Sequence, residues 1–243
     1  MRDISDITAA ILVGGHGTRL QPVVSDRPKV LALVRGRPFL AYLLDQLMSL
    51  DISEVVFCSG YMSDKIQECF RDSYGSLRLL YSREEKPLGT GGAIRLAMPY
   101  FRSDTVLVMN GDSYIDVDLE AYLNWFRERE RRAALVLTKA EDTSRYGTVC
   151  VDGDRITAFE EKKACSGLGW INAGIYLLKR SLVSSIPAGK FYSLEHEFFP
   201  SLTGGELYGF CVERRFIDIG TPEAYTMAEE FFASKAFGDL AGK

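Results

Sequence analysis

The chain has 243 residues, 47% of them hydrophobic, with 33 acidic against 29 basic side chains and a net charge of -4. That supplies apolar material for one well-filled core, while the near-neutral balance, with no basic run beyond Arg131-Arg132 or Arg214-Arg215, excludes a nucleic-acid footprint. Five cysteines, odd in number and without a C-x-x-C pair, give neither a disulfide framework nor a zinc or redox signal.

The first apolar stretch, Ile7–Val13, is too short to span a membrane, has no cleavage-like segment after it and ends in a glycine cluster. It reads as a first strand, in a cytoplasmic protein with no membrane partner. Strands follow at Glu54–Ser59, Leu77–Tyr81 and Thr105–Asn110, with helices between them at Phe39–Leu50, Ser63–Phe70 and Gly91–Met98. Strands separated by helices imply crossover connections. The expected fold is therefore α/β, a mainly parallel mixed sheet with helices on both faces and its ligand beyond the carboxyl ends of the strands.

A surface helix over Leu119–Arg131 puts Leu119, Tyr122, Leu123 and Phe126 on one face. The pattern then changes to short strands at Ala134–Lys139, Gly147–Val151, Ile156–Glu161 and Ile171–Leu178, with a hairpin signal at Asp152-Gly153-Asp154. These strands predict a smaller antiparallel lobe. The last elements are a strand at Leu207–Val212, the run Phe216–Gly220 and a helix opened by Thr221-Pro222-Glu223, with Thr221 as N-cap. No repeat or low-complexity linker divides the chain, so a single domain is expected, with halves at about 1–118 and about 119–243 and no C-terminal β-helix domain.

Four stretches carry chemistry. Leu12-Val13-Gly14-Gly15-His16-Gly17-Thr18-Arg19-Leu20 follows a strand, and its glycines let backbone N–H groups approach a phosphate while Arg19, and Lys29 ten residues on, add charge. It is not a Walker A loop, since no Gly-Lys-Ser/Thr follows, nor the dinucleotide fingerprint, since position 20 is leucine. An ordinary glycine-rich turn is the alternative. Asn110-Gly111-Asp112 ends a buried strand where a carboxylate would face the ligand crevice. Asp218 interrupts the apolar run Phe216–Gly220, so its charge calls for a partner ion or cation. Glu160-Glu161-Lys162 is a charged strand end, suited to sugar hydroxyls and a phosphate or simply to solvent.

Taken in order, these motifs together with Lys86–Ala93, Arg145-Tyr146-Gly147 and Asn172-Ala173-Gly174-Ile175-Tyr176 resemble the sugar nucleotidylyltransferases over about residues 7–230. The resemblance implies a Rossmann-like sheet whose first half binds nucleotide and whose second binds sugar. It also implies transfer of a nucleoside monophosphate from an NTP to a sugar 1-phosphate. It assigns Leu12, Gly14, Gly15, Gly17, Thr18, Arg19, Lys29, Glu84, Pro87, Gly89, Thr90 and Asp112 to the nucleotide, with Arg19, Lys29, Asp112 and Lys162 catalytic. Tyr146, Gly147, Glu161, Lys162 and Asn172 face the sugar phosphate, and Asp112 and Asp218 hold Mg²⁺. The short chain and the Pro87–Ala93 run are similar to the heptose 1-phosphate guanylyltransferase branch, which implies GTP. Mannose- or glucose-1-phosphate with GTP, UTP, CTP or dTTP stays open, as do a homodimer and a non-catalytic regulatory subunit. Glu84, with backbone groups or Glu85 as alternatives, is the candidate reader of guanine, whose adjacent N1–H and 2-amino donors match a carboxylate.

The rival classes fit less well. A dehydrogenase needs an acidic residue after the second strand, where Phe57–Gly60 stand. A glycosyltransferase would carry a metal-binding Asp-x-Asp, and Asp116 and Asp118 have that spacing but lead into the next helix.

Overall fold

The computed structural model describes residues 7–15, 17–50, 52–141, 143, 146, 148–160 and 168–233. Its first half alternates strand and helix. β1 (Ile7–Leu12), a short hairpin of β2 (Leu33–Val34) and β3 (Arg37–Pro38), α1 (Phe39–Met48), β4 (Glu54–Ser59), α2 (Ser63–Phe70), β5 (Ser73–Tyr74), β6 (Leu77–Arg83), α3 (Gly89–Leu96) and β7 (Thr105–Asn110) follow one another. Then come β8 (Ser113–Ile115) and α4 (Leu119–Glu128), β9 (Ala133–Ala140), the hairpin β10 (Thr148–Asp152) and β11 (Arg155–Glu160), and β12 (Gly169–Lys179). The described chain closes with α5 (Arg180–Ser185), a π-helical turn at Leu194–Phe198, α6 (Phe199–Leu202), β13 (Leu207–Val212), β14 (Phe216–Asp218) and α7 (Pro222–Ala233).

Ten strands form one sheet in the order β10-β11-β13-β9-β12-β7-β1-β4-β6-β5. The block β7-β1-β4-β6 is parallel, as crossover helices require. The antiparallel strands of the second half do not stand apart from it. β12 pairs antiparallel with both β7 and β9, and β13 runs parallel to β9. β12 can take that central place because Ala173 and Gly174–Leu178 are buried without interruption, the pattern of a strand covered on both faces.

Alternate residues feed two cores. Ala9, Ile11, Val55, Phe57, Leu107 and Met109 face a cluster shared with α1, α2, α4 and α7, while Ala10, Val56, Cys58, Val106 and Val108 face one shared with α3, α5 and α6. Asp118, half of the Asp-x-Asp spacing, is the N-cap of α4 and accepts the Ala121 N–H at 2.9 Å. Thr221 accepts the Ala224 N–H at 3.3 Å at the head of α7, and the hairpin turn falls at Gly153, whose φ is +59°.

α4 ends before Glu130, which adopts a left-handed φ of +51°, and Arg131 turns inward instead of extending the surface helix. Its side chain is 1% exposed, lies 3.7 Å over the Trp125 ring and 5.3 Å from that of Tyr208, and reaches Asp154 at 2.5 Å. One guanidinium thereby ties α4, the β10–β11 turn and β13 together.

Candidate active site

Pairing continues past the strand ends and brings three loops together. Val13 N donates to Cys58 O at 2.9 Å and Gly111 N to Leu12 O at 2.9 Å, so the segments after β1, β4 and β7 converge at the carboxyl edge of the sheet. A cavity of about 270 Å³ opens there. Leu12, Gly14, Gly15, Lys29, Glu84, Pro87, Gly89, Thr90 and Asp112, all expected from the sequence, line it together with Val13, Val30, Cys58, Ala93, Asn110 and Phe191. Gly17, Thr18 and Arg19 lie beyond that lining, in the turn after the glycine loop, where Gly17 takes a φ of +60°.

Glu84 sits at the foot of the cavity. Its Oε2 accepts the Leu88 N–H at 3.0 Å, which shapes the turn before α3. Its Oε1 lies so near two glycine backbones that a Cβ on Gly14 would stand 3.1 Å away and one on Gly60 only 2.6 Å away. Both glycines are therefore space for a carboxylate.

Charges of both signs gather beside the cavity. Lys29, held after Pro28 in a 3-10 turn at Lys29–Leu31, donates to Asp112 through an ammonium whose side chain is 13% exposed. The short sheet of β8 and β14 sets Asp218 opposite Ser113, and Ile219 N donates to Asp112 O at 3.0 Å, so the two aspartates become neighbours. Gly220 N donates to Asp218 Oδ1 at 2.6 Å, and Arg19 Nη2 lies 3.3 Å from where a Cβ on Gly220 would stand. Burial first, and then the adjacent Asp112 carboxylate, push the Asp218 carboxyl above its ordinary range, against the pull of Lys29, the Gly220 N–H and Arg19. Lys29, expected at the triphosphate, is thus paired with Asp112, expected at the metal, and Arg19 lies near Asp218. No cluster of three or more metal-ligating side chains occurs among the described residues. Two carboxylates are nonetheless a fitting protein share for Mg²⁺, which takes its other ligands from water and phosphate. The buried Oδ1 of Asn110, two residues from Asp112, has no partner among the described residues and can accept from a bound group.

On the other side, β12 bulges between Asn172 and Tyr176, with Gly174 at φ +78°. The bulge lets Asn172 Oδ1 accept the Gly174 N–H at 2.9 Å and its Nδ2 donate to the Tyr176 hydroxyl at 3.0 Å. Asn110 donates to the same hydroxyl at 3.2 Å, which links β7 to β12. Tyr146 lies against Phe216 and lines a separate cavity with Ile217 and Asp218. Gly147, Glu161 and Lys162 fall outside the described residues.

The loop before the π-helical turn gave no motif in the sequence, yet it closes on the nucleotide-side turn. Tyr192 N donates to Leu88 O at 2.8 Å, and Tyr192 O accepts from Gly91 N at 2.8 Å and Gly92 N at 3.1 Å. Thr90 Oγ1 donates to Glu195 at 2.7 Å and accepts the Leu194 N–H at 2.8 Å. A Cβ on Gly92 would stand 2.7 Å from Lys190 O and 2.8 Å from Leu88 Cβ. These helix glycines serve close packing of the strap. Gly92→Ala is expected to cost about 2 kcal/mol by overpacking and to raise the NTP KM, despite the higher helix propensity of alanine; an unfolding midpoint at or above that of the wild type would contradict the packing account.

A profile of the nucleotidyl transferase family matches residues 8–235. The D-glycero-alpha-D-manno-heptose 1-phosphate guanylyltransferase of Campylobacter jejuni is 34% identical over 217 residues, 89% of this chain and 96% of that protein. The protein of the same name from Aneurinibacillus thermoaerophilus is 35% identical over 223 residues, 91% of this chain and 96% of that one. The crystal structure of HddC from Yersinia pseudotuberculosis complexed with GMP-PN superposes with a TM-score of 0.83 at 32% identity, covering 93% of this chain and 99% of that one.

Proposed function

This chain belongs to the nucleotidyl transferase family, and we propose that it is a guanylyltransferase that joins the GMP unit of GTP to a heptose 1-phosphate. A phosphate oxygen of the sugar attacks the α-phosphorus of the NTP, forming one O–P bond while the bond to the pyrophosphate leaving group breaks. The observation that carries this reading is the ion pair of Lys29 and Asp112 in the lining of a cavity with a glycine-loop wall, with Asp218 and Arg19 close beside it.

Charge accounts for the chemistry. Two phosphates repel until cations neutralise them, and Lys29, released from Asp112 by the incoming triphosphate, can turn to it together with Arg19 nearby. Lys162, beside Glu161, takes the sugar phosphate, and Gly147, Tyr146 and Asn172 orient the ring. Asp112 and Asp218 would hold Mg²⁺, which neutralises phosphate charge and steadies the leaving pyrophosphate. No side-chain base is needed because the attacking oxygen is already ionised, so catalysis is positioning and electrostatics. The residues to about 118 serve mainly the nucleotide and those after it mainly the sugar, with Phe191 and Asp218 reaching back to the nucleotide side, in a cytoplasmic reaction supplied with NTP.

Glu84 reads the base. A carboxylate walled by Gly14 and Gly60, its Oε2 also accepting the Leu88 N–H, has two acceptor oxygens that match the guanine N1–H and 2-amino group, whereas adenine presents an acceptor at N1. Discrimination of about 1–3 kcal/mol is expected from a mispaired buried group. Pyrophosphate release measured for four NTPs against mannose, glucose and heptose 1-phosphates should be highest for GTP with the heptose. Glu84→Gln and Glu84→Ala should narrow the margin of GTP over UTP and ATP. An unchanged margin in both variants removes Glu84 as the reader, and a wild type that prefers a pyrimidine nucleotide ends the guanine assignment.

A further inference from the structure

Phe191 is 66% exposed although it belongs to the lining of the nucleotide-side cavity. An aromatic ring left in water at the mouth of an apolar pocket loses the burial that would otherwise favour its inward packing. Its position is nevertheless held. The next residue, Tyr192, makes three backbone hydrogen bonds to Leu88, Gly91 and Gly92, and the Phe191 ring rests on Gly89, its Cε2 3.3 Å from where a Cβ would stand. Gly89 itself takes a φ of +71°, a conformation that keeps this contact free of a side chain. A flat apolar ring is thus presented, fixed from behind, above the turn that Glu84 shapes.

From this geometry we infer that Phe191 is a specificity-determining residue that stacks on the face of the nucleobase whose edge Glu84 reads, an inference that rests on the nucleotide assignment above. The two contacts are complementary. A carboxylate in the plane of the base selects its donors, and a ring across the plane holds any base but gains most from the larger face of a purine. The sugar is a poorer occupant for this surface, because Asn172 and Tyr146 lie outside the lining of the cavity to which Phe191 belongs.

The test measures binding rather than turnover. Titration calorimetry of the full chain with GTP should give an affinity about tenfold weaker for Phe191→Ala than for the wild type, the size of one lost base–aromatic stack. Binding of inorganic tripolyphosphate, which has no base, should be unchanged in the same variant. Phe191→Trp should restore GTP affinity, and its added fluorescence should be quenched by GTP and not by tripolyphosphate. GTP affinity in Phe191→Ala within twofold of the wild type, or an equal loss for tripolyphosphate, overturns the stacking role. Should the wild type bind another nucleotide in place of GTP, the guanine assignment fails, and the same series run with that nucleotide still decides the role of Phe191.

Discussion

Asp218→Asn lowers turnover by about a thousandfold while leaving the fold intact. The amide keeps the shape of the carboxylate and an oxygen that can still accept the Gly220 N–H, so what is lost is one charge at the point where the proposed metal and triphosphate would meet. Loss of a single electrostatic group of this kind costs about 10²–10³ in rate, and under the proposed assignment the same group would also hold the metal, which sets the upper end. Stability should not follow activity downward. Burial and the nearby Asp112 both oppose the Asp218 charge, so the variant without ligands should melt at or above the wild-type temperature. Steady-state rates beside thermal melts check both halves. Wild-type turnover in the variant, or full activity of the native protein in excess EDTA, defeats the assignment of Asp112 and Asp218 to Mg²⁺.

Arg131→Met destabilises the protein by about 3 kcal/mol, the lower end of the cost of removing one partner from a buried ion pair. The lower end applies because Asp154 is 34% exposed in its side chain and keeps Arg129 at 3.2 Å. Methionine fills part of the space but cannot stack on Trp125 as a charged plane or bond to Asp154. The effect depends on pH in a definite direction. The hydrogen bond from Arg131 leads the causes that hold the Asp154 carboxyl below its ordinary value of 3.8, against a smaller upward push from burial. A lowered folded-state value means that the pair's contribution is complete above 3.8 and fades as pH falls through the lower folded value. Urea unfolding should therefore show a constant gap between variant and wild type from neutral pH down to about 5 and a narrowing gap below 4. A gap under 1 kcal/mol at pH 7 would show that the clamp contributes little.

Much of this was legible in the sequence because the signals were local. Glu54–Ser59, Ser63–Phe70, Thr105–Asn110 and Leu207–Val212 are bounded in the structure as their apolar periodicity predicted. The glycine loop, Lys29 and Asp112 meet because a parallel sheet brings its carboxyl ends to one edge. What escaped the sequence was fixed by partners far along the chain. The pairing of Lys29 with Asp112 spans 83 positions, and the contact of Thr90 with Glu195 spans 105. Gly91 and Gly92 read as part of a nucleotide motif, and it is the strap at Lys190 and Tyr192, about a hundred residues on, together with Leu88, that excludes a side chain there. Arg131 read as the end of a surface helix, since nothing near it in sequence announces that Trp125, Asp154 and Tyr208 will enclose it.

The central place of β12 bears on how this protein can be recombined. Ile175 to Lys179 pair in register with Met109 to Thr105 on β7, and the opposite edge of β12 pairs with β9. A cut between residues 118 and 119 would part β7 from β12 and β8 from β14, leaving long apolar strand edges open to self-association. The two halves are thus not interchangeable cassettes. A chimera that takes its second half from a relative should be soluble only if the incoming strand matches β7 residue for residue, and a one-position slip there would turn Tyr176 away from Asn110 and expose a face of the core.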